Sequence, residues 1–490
     1  MKLIRKYPYS YWAEWTEDKI ISLYIGLLAK NDGKLALLKF RIRKAIQQLP
    51  PNILIQMGEK AYWSGYYKEA DLMGSLALKR QPSASERKEN LELLAASQVL
   101  IGDYKAALQS YDFLLRQSSG TNNAIEYLFR MGLVQYRLKD YSKAMFYFER
   151  LLALNDKSKF ELPAMYWARN SYIKLDQKEK AKEISDQLLV KYPLTYYGLR
   201  TRMEMANGQV PEDFKSGSAP VVQLYFSTNE SQAWKTFNLL AESGWYDAAG
   251  RELGQLPQPT STAQKMLYAY FWMKAGQPGQ GIQLFNEVIY EDERFIRWNA
   301  LKRFFPFWYE GEIKKWAEAN SIEPEMIAAI IRQESSFDAQ AESPARAIGL
   351  MQMISLTSTS VAKDIRLKDF SFPESLMDPE TNIRMGSYYF RKILKSNREN
   401  VPLTLASYNA GIGNLYKFIK SRAELADLRD QHSTDPENEL WIDELPWGET
   451  RFYVQAVMRN YLIYRWLYSD LQSTSRWEVG QKAGSNGPKK

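Results

Sequence analysis

The chain contains no cysteine. Disulfides, thiol nucleophiles and cysteine-bearing zinc sites are therefore excluded. Histidine occurs once, at His432, which also excludes histidine-rich metal centres and the HExxH signature. A serine–histidine–acid triad would have to use His432. That residue lies in Asp430-Gln431-His432-Ser433-Thr434-Asp435. The stretch is polar and reads as a solvated loop, whereas triad histidines need an oriented, partly buried setting. Long apolar runs are missing too. The longest surrounds Ile20–Ala29 and is interrupted by Ser22, about half of the roughly 20 residues a membrane span requires. The N-terminal Met1-Lys2-Leu3-Ile4-Arg5-Lys6-Tyr7-Pro8 has no apolar segment behind its basic residues and does not read as a signal peptide. Glycine and proline number only 26 and 20 of 490 residues, too few for a collagen-like or low-complexity chain.

What is present points to a large folded protein. Hydrophobic residues make up 45%, enough for a substantial core and against wholesale disorder. The length corresponds to about three domains. Lysine plus arginine exceed aspartate plus glutamate by 65 − 57, a net charge of +8. A basic surface suits an anionic partner. No run of five or six basic residues occurs, however, so a nucleic-acid partner is not predicted.

One local pattern recurs, a lysine-bearing tetrad ending in alanine. It appears as Tyr67-Lys68-Glu69-Ala70, Tyr104-Lys105-Ala106-Ala107, Tyr141-Ser142-Lys143-Ala144 and Lys178-Glu179-Lys180-Ala181, each 37 residues after the last. A weaker copy is Trp245-Tyr246-Asp247-Ala248-Ala249, and a decayed one follows Gly276. Gly65, Gly102 and Gly244 precede the copies, where glycine makes a left-handed turn cheap. Apolar residues follow at helical spacing, Tyr111, Leu114 and Leu115 in one unit and Phe148, Leu151 and Leu152 in the next. A single helix pair cannot bury its own face, so such pairs stack into a solenoid. The units resemble tetratricopeptide repeats, best over residues 55–190, and their tyrosines and tryptophans are expected to pack rather than bind. Two loops interrupt the pattern, Asn207–Pro220 and Leu256–Ser261. Lys6–Trp12 looks like Lys191–Tyr197, which closes a repeat run, so the chain is expected to begin where a preceding unit ends.

From about Glu310 the repeat signature stops. Pro324 is placed to open a helix. In it Ile327, Ile330, Ile331 and Glu334 fall at i, i+3, i+4 and i+7 and share one face, while Arg332 and Gln333 point elsewhere. A carboxylate that continues an apolar stripe is costly to ionise, its pKa rises, and it becomes a proton donor near neutral pH. The competing reading is a helix-terminal glutamate turned to solvent or paired with an arginine.

The residues that follow form a series: Glu334-Ser335-Ser336-Phe337, Ser343, Gly349-Leu350-Met351-Gln352, Asp378-Pro379-Glu380-Thr381-Asn382, Ala406-Ser407-Tyr408-Asn409-Ala410-Gly411, and Leu445-Pro446-Trp447-Gly448-Glu449-Thr450-Arg451-Phe452-Tyr453. Over about residues 303–465 this series resembles the catalytic domain of soluble lytic murein transglycosylases. The resemblance implies an all-α chain in which a tetratricopeptide-like superhelix precedes a lysozyme-like domain. We therefore expect repeats over 1–206, further helical repeats or a linker over 207–302, the catalytic domain over 303–470 and a disordered tail over 471–490.

The resemblance also implies residue roles. Glu334 matches the single acid/base. Ser343, Gln352, Tyr408 and Asn409 match residues of the sugar cleft, Gly349 and Met351 shape its wall, and Asp443 matches a glutamate at its edge. Trp447 and Tyr453 are expected in the core. The chain departs from the family at Arg346-Ala347 (glycine–alanine in relatives), Ile354-Ser355 (methionine–proline), Ile412 (often proline) and Asp443. A usual glycosidase needs two carboxylates, and the nearest second candidate, Asp338, is expected to face a loop.

The function implied is cleavage of the β-1,4 bond between N-acetylmuramic acid and N-acetylglucosamine, without water, leaving a 1,6-anhydro end. Neither metal nor cofactor is expected. The implied partner is the peptidoglycan strand and the implied place the periplasm or cell envelope, where peripheral envelope association is compatible with the sequence. Protein partners of the repeats are not readable. Two alternatives stay open, a muramidase on the same fold and a non-catalytic sugar-binding scaffold.

Overall fold

A computed structural model describes residues 19, 23–24, 26–27, 46–118, 122–154, 158–205, 227–291, 298–430 and 436–468. His432, the Lys6–Trp12 segment, the Asn207–Pro220 loop and the expected tail over 471–490 lie outside the described residues. The described chain is all-α. Its only β-type pairings are the isolated bridges Glu342 to Ile348 and Ile348 to Met353.

The array runs through α1 (Pro51–Trp63), α2 (Tyr67–Lys79), α3 (Ala84–Ile101), α4 (Tyr104–Gln117), α5 (Asn122–Arg137), α6 (Tyr141–Leu152), α7 (Glu161–Lys174) and α8 (Lys178–Lys191). Helices α2, α4, α6 and α8 begin at the first residue of each 37-residue tetrad. The four closing alanines are buried, Ala181 at 5% exposure and the others at 0%, because any larger side chain would hold the paired helix away. The turn before each tetrad is built the same way. Gly65, Gly102, Lys139 and Asp176, again 37 apart, all have positive φ. The next N–H reaches back to a carbonyl five residues earlier, Tyr66 to Ala61, Asp103 to Gln98, Asp140 to Gln135 and Gln177 to Tyr172. This is the Schellman closure. Trp245 to Leu240 and Gln277 to Trp272 repeat it, so the decayed copy after Gly276 keeps the turn although its tetrad has gone. Asp103 and Asp140 then cap the following helices through Ala106 and Lys143 N–H.

The chain continues through α9 (Tyr196–Met205), α10 (Thr228–Glu242), α11 (Tyr246–Gly254), α12 (Thr262–Lys274), α13 (Pro278–Glu291) and α14 (Trp298–Phe304). It then forms α15 (Glu310–Asn320), α16 (Pro324–Glu334), α17 (Ser355–Asp364), α18 (Pro379–Ser396), α19 (Val401–Ala410), α20 (Ile412–Lys420), α21 (Leu440–Glu444) and α22 (Gly448–Tyr468). Leu256–Ser261 is a loop that ends in a capping box between Ser261 and Gln264.

These elements form two compact units. One comprises residues 1–182, 410–431 and 435–448, the other 183–409, 432–434 and 449–490. In the first, the segment after Tyr408-Asn409 packs on the repeats. The Glu444 carboxylate accepts from Arg137 Nε and Nη2 at 3.0 and 2.7 Å and from Arg422 Nη2 at 2.7 Å. Arg422 Nη1 reaches Tyr104 Oη at 3.2 Å, and Lys417 Nζ donates to the Ser64 carbonyl at 2.8 Å.

In the second unit, one core joins α10 to α12 around Phe237, Leu253, Tyr268 and Phe271. Another surrounds α16. Every residue from Met326 to Ile331 is 0% exposed. The expected amphipathic stripe is thus one side of a helix that is buried all round, as a uniformly apolar helix must be. Arg332 is buried as well. Its guanidinium donates to the Phe304 carbonyl and lies 3.9 Å over the Phe305 ring.

Candidate active site

Glu334 is the last residue of α16, where the buried helix emerges. Ser335 turns the chain, its hydroxyl donating to the Leu350 carbonyl at 2.9 Å. Ser336 and Phe337 then take positive φ. The strain is held in place because Phe337 is 3% exposed and meets Trp308 edge-on at 5.8 Å. Glu334 itself is half-buried. Burial pushes its carboxyl up to about 7, and the Glu449 carboxylate pushes the same way. The opposing influence is Tyr453, whose hydroxyl donates to Glu334 Oε1 at 2.7 Å and favours the anion.

Tyr453, expected in the core, is the side chain that bonds Glu334. Its ring is indeed buried, at 4% exposure, but its hydroxyl is the polar partner of Glu334. Tyr408 donates to the Met351 carbonyl at 2.8 Å. The ionised carboxylate opposes its deprotonation, so the two groups are neighbours. Burial holds both phenols well above their usual range, so both remain O–H donors at any working pH. Tyr453→Phe removes the one hydrogen bond that favours the Glu334 anion. The alkaline limb of the pH–rate profile is expected to move up by about one unit. A limb that stays in place or moves down contradicts this arrangement.

Asn409 is half-buried and its Oδ1 accepts from Thr450 Oγ1 at 2.6 Å. Thr450 follows Glu449 at the start of α22, so the Glu-Thr pair ties the Tyr-Asn motif to the Glu334 neighbourhood. Gln352 has positive φ and its amide donates to the Ala341 and Gly349 carbonyls at 3.1 and 2.9 Å. Ser343 closes a turn in which Ala347 N–H reaches its hydroxyl at 3.0 Å. Both brace the loop that faces the end of α16.

Met351 and Gly349 are buried, and the place expected for Asp443 is corrected. Met351 is 0% exposed, packed against Gly386, and offers only its backbone to the site. Gly349 is buried in the wall. It has φ +76°, and a Cβ there would collide with the Leu376 carbonyl and the Asn382 amide. Asp443 is 3% exposed and accepts from Trp167 Nε1 at 2.8 Å. Its carboxylate is turned into the repeats, so it is no cleft-edge group. The exposed acid acting on Glu334 is Glu449, six residues later.

Asn382 is a second residue that was passed over. Fully buried, its Oδ1 accepts from Met351 N–H at 2.8 Å, while its amide donates to the Ile348 and Leu376 carbonyls at 3.0 and 2.8 Å. It holds the Gly349 turn from behind, which is why a buried polar residue stands near the start of α18. Asp338 is exposed and bonds Gln340 N–H at 2.9 Å in its own loop.

Two substitutions test the loop backbone. Gly349→Ala is expected to destabilise by about 2 kcal/mol or more, from the left-handed backbone and the collision together. Arg346 has φ +58° and is exposed. Arg346→Gly supplies the residue this conformation suits and is expected to leave stability unchanged or raise it by up to about 1 kcal/mol. Thermal unfolding of both variants measures the contrast, and equal effects would contradict it.

Residues 311–430 match the family model of the transglycosylase SLT domain, and residues 125–158 and 164–195 match tetratricopeptide-repeat models. The chain is therefore a helical-repeat protein with a region, residues 311–430, that is similar to the transglycosylase SLT domain. It is similar to the soluble lytic murein transglycosylase of Escherichia coli K12, 26% identical over 322 residues, which cover 64% of this chain and 45% of that one. It is also similar to the membrane-bound lytic murein transglycosylase F of Photobacterium profundum, 31% identical over 35% of this chain and 31% of the relative. The chain thus spans less than half the length of these relatives. Among solved structures, the 70-kDa soluble lytic transglycosylase from Escherichia coli matches at a TM-score of 0.62 and 21% identity, over 94% of this chain and 73% of that one. Lytic transglycosylase Slt from Pseudomonas aeruginosa matches at 0.61 and 17%, over 97% and 82%. At such identities the structural likeness establishes the fold. No described helix is long and apolar enough to cross a membrane.

Proposed function

We propose that this chain is a peptidoglycan lytic transglycosylase whose acid and base are one residue, Glu334. The observation that carries the reading is a half-buried carboxyl whose pKa stands at about 7, with a phenol donating to one of its oxygens. At neutral pH such a group is present in both protonation states. A general acid/base is most effective in that condition.

The reaction follows from that poise. Glu334 gives its proton to the glycosidic oxygen as the bond to C1 of the muramic acid breaks. The 2-acetamido group of the same sugar supports the cationic centre, in place of a carboxylate nucleophile. The 6-hydroxyl oxygen then bonds to C1, and its proton passes to the Glu334 carboxylate. Protons balance, no water is consumed, and Glu334 ends as it began. Tyr453 orients the carboxyl. We assign Ser343, Gln352, Tyr408 and Asn409 to the sugar cleft and the catalytic machinery to residues 303–470. Cleavage of this polymer places the protein in the periplasm or cell envelope.

One observation favours a hydrolytic second reading. Glu449 is an exposed carboxylate acting on Glu334, and an inverting hydrolase would use such a group to activate water. Release of soluble fragments from purified peptidoglycan tests the assignment of activity itself. The wild-type chain is expected to release them, and Glu334→Gln is expected to release none. Equal release by both would overturn the role of Glu334.

A further inference from the structure

The repeat array has a cavity of ≈ 490 Å³ remote in sequence from Glu334. Three successive leading helices build it, each with a stripe at helical spacing. Helix α1 contributes Glu59, Tyr62 and Trp63, α3 contributes Glu89 and Glu92, and α5 contributes Tyr127 and Arg130. In a chain of net charge +8, this lining is acidic and aromatic.

Three of its acids, Glu59, Glu89 and Glu92, have no basic partner among the described residues. Glu444 is satisfied by Arg137 and Arg422, and Glu126 by Arg130. Glu59 and Glu89 instead lie within hydrogen-bonding reach of one another, and burial followed by the charge of Glu89 raises the Glu59 carboxyl. Glu92 accepts only from the Tyr127 hydroxyl. The walls are apolar and aromatic, with Trp63 58% exposed. At the base Tyr111 is 5% exposed and lines the cavity. Its ring tilts against Tyr127 at 6.1 Å, and its hydroxyl makes no hydrogen bond among the described residues. A buried hydroxyl opening on such a space is short of a ligand.

The geometry points to a docking site on the repeats for a basic, lysine- or arginine-bearing segment of a partner protein. An aliphatic stem fits between Tyr62, Trp63 and Tyr127, where a cation also gains from the ring faces. The cationic head meets Glu59 and Glu89, and its arrival relieves the repulsion between them. Lys88 and Arg130 are the only cations lining the cavity among the described residues. Arg130 is already paired with Glu126 at 3.2 Å. The Tyr111 hydroxyl accepts from a backbone or side-chain N–H of the guest.

The test is calorimetric titration of the full chain with acetyl-Lys-Lys-Lys-amide, and with acetyl-Glu-Glu-Glu-amide as the control. The expected result is saturable binding of the lysine peptide alone, with Kd below about 1 mM. Glu59→Gln combined with Glu89→Gln is expected to weaken it by about tenfold or more, and Tyr111→Phe by several-fold. All three substitutions keep shape, and unchanged thermal unfolding verifies that the variants are folded. No saturable binding of the lysine peptide overturns the proposal. So does binding that the variants leave within twofold. Stronger competition by purified amine-bearing muropeptides than by the lysine peptide would assign the cavity to the cell-wall polymer and overturn the protein-partner reading.

Discussion

Glu444→Ala is expected to destabilise the repeat-bearing unit by roughly 3–5 kcal/mol, because it strands the Arg137 and Arg422 guanidiniums inside the protein. The Arg422 side chain is 0% exposed and that of Glu444 3%, so water cannot take over the lost partner. In a unit of this size each kcal/mol shifts the midpoint by about 2–4 °C, so a fall of about 10 °C or more is expected in thermal unfolding. Glu444→Gln keeps hydrogen-bond acceptance and loses the charge, and its effect should be smaller. The same carboxylate sets an acid limit. Burial alone would raise its pKa, but the paired guanidiniums outweigh this and hold it down to about 2. A folded-state value below the unfolded one contributes stability that is present above about pH 4.5 and lost as pH falls toward 2. A midpoint shift of only a degree or two in the alanine variant would contradict this account.

Glu334→Gln is expected to abolish fragment release, by at least about a hundredfold and more where both the acid and the base step depend on it. The same substitution is expected to raise stability at alkaline pH. With its pKa raised to about 7, the folded protein holds a proton that the unfolded chain has given up. The stability this proton supports is full below about pH 4.5 and is lost as pH rises through 7. Glutamine has no charge to desolvate. Since Glu334 keeps some exposure, the gain at pH 8 is on the order of 1 kcal/mol. Wild-type activity should fall above about pH 7, as the acid deprotonates. A variant that is inactive and also less stable at pH 8 would show that Glu334 is an ordinary helix-end ion partner.

How far the sequence carried this reading differs from element to element. The 37-residue tetrads coincide with the starts of four helices, because a buried alanine, a left-handed turn and a cap are local requirements that leave local marks. Glu334 was legible because desolvation follows from its apolar neighbours on one helix. Its hydrogen-bond partner was not. Tyr453 and Tyr408 are both buried aromatics behind similar motifs, and which hydroxyl meets the carboxyl depends on how α22 crosses α16, a fact no single segment contains. The place of Asp443 was not legible for the same reason. Asp443 and Glu449 are both acids near Leu445-Pro446, and only packing shows that one turns to Trp167 and the other stays exposed. The attachment of residues 410–431 and 435–448 to the repeats rests on ion pairs spanning about three hundred positions, Arg137 with Glu444 among them, and no periodicity announces such pairs.

The measurement that bears most directly on the central claim is the mass of the muropeptides released from purified peptidoglycan. Transfer of the 6-hydroxyl through Glu334 predicts products one water lighter than hydrolysis fragments, without a reducing end and unlabelled when the reaction runs in heavy-oxygen water. Full-weight reducing ends carrying the heavy oxygen would contradict the single-residue mechanism and make Glu449 the base of a hydrolase.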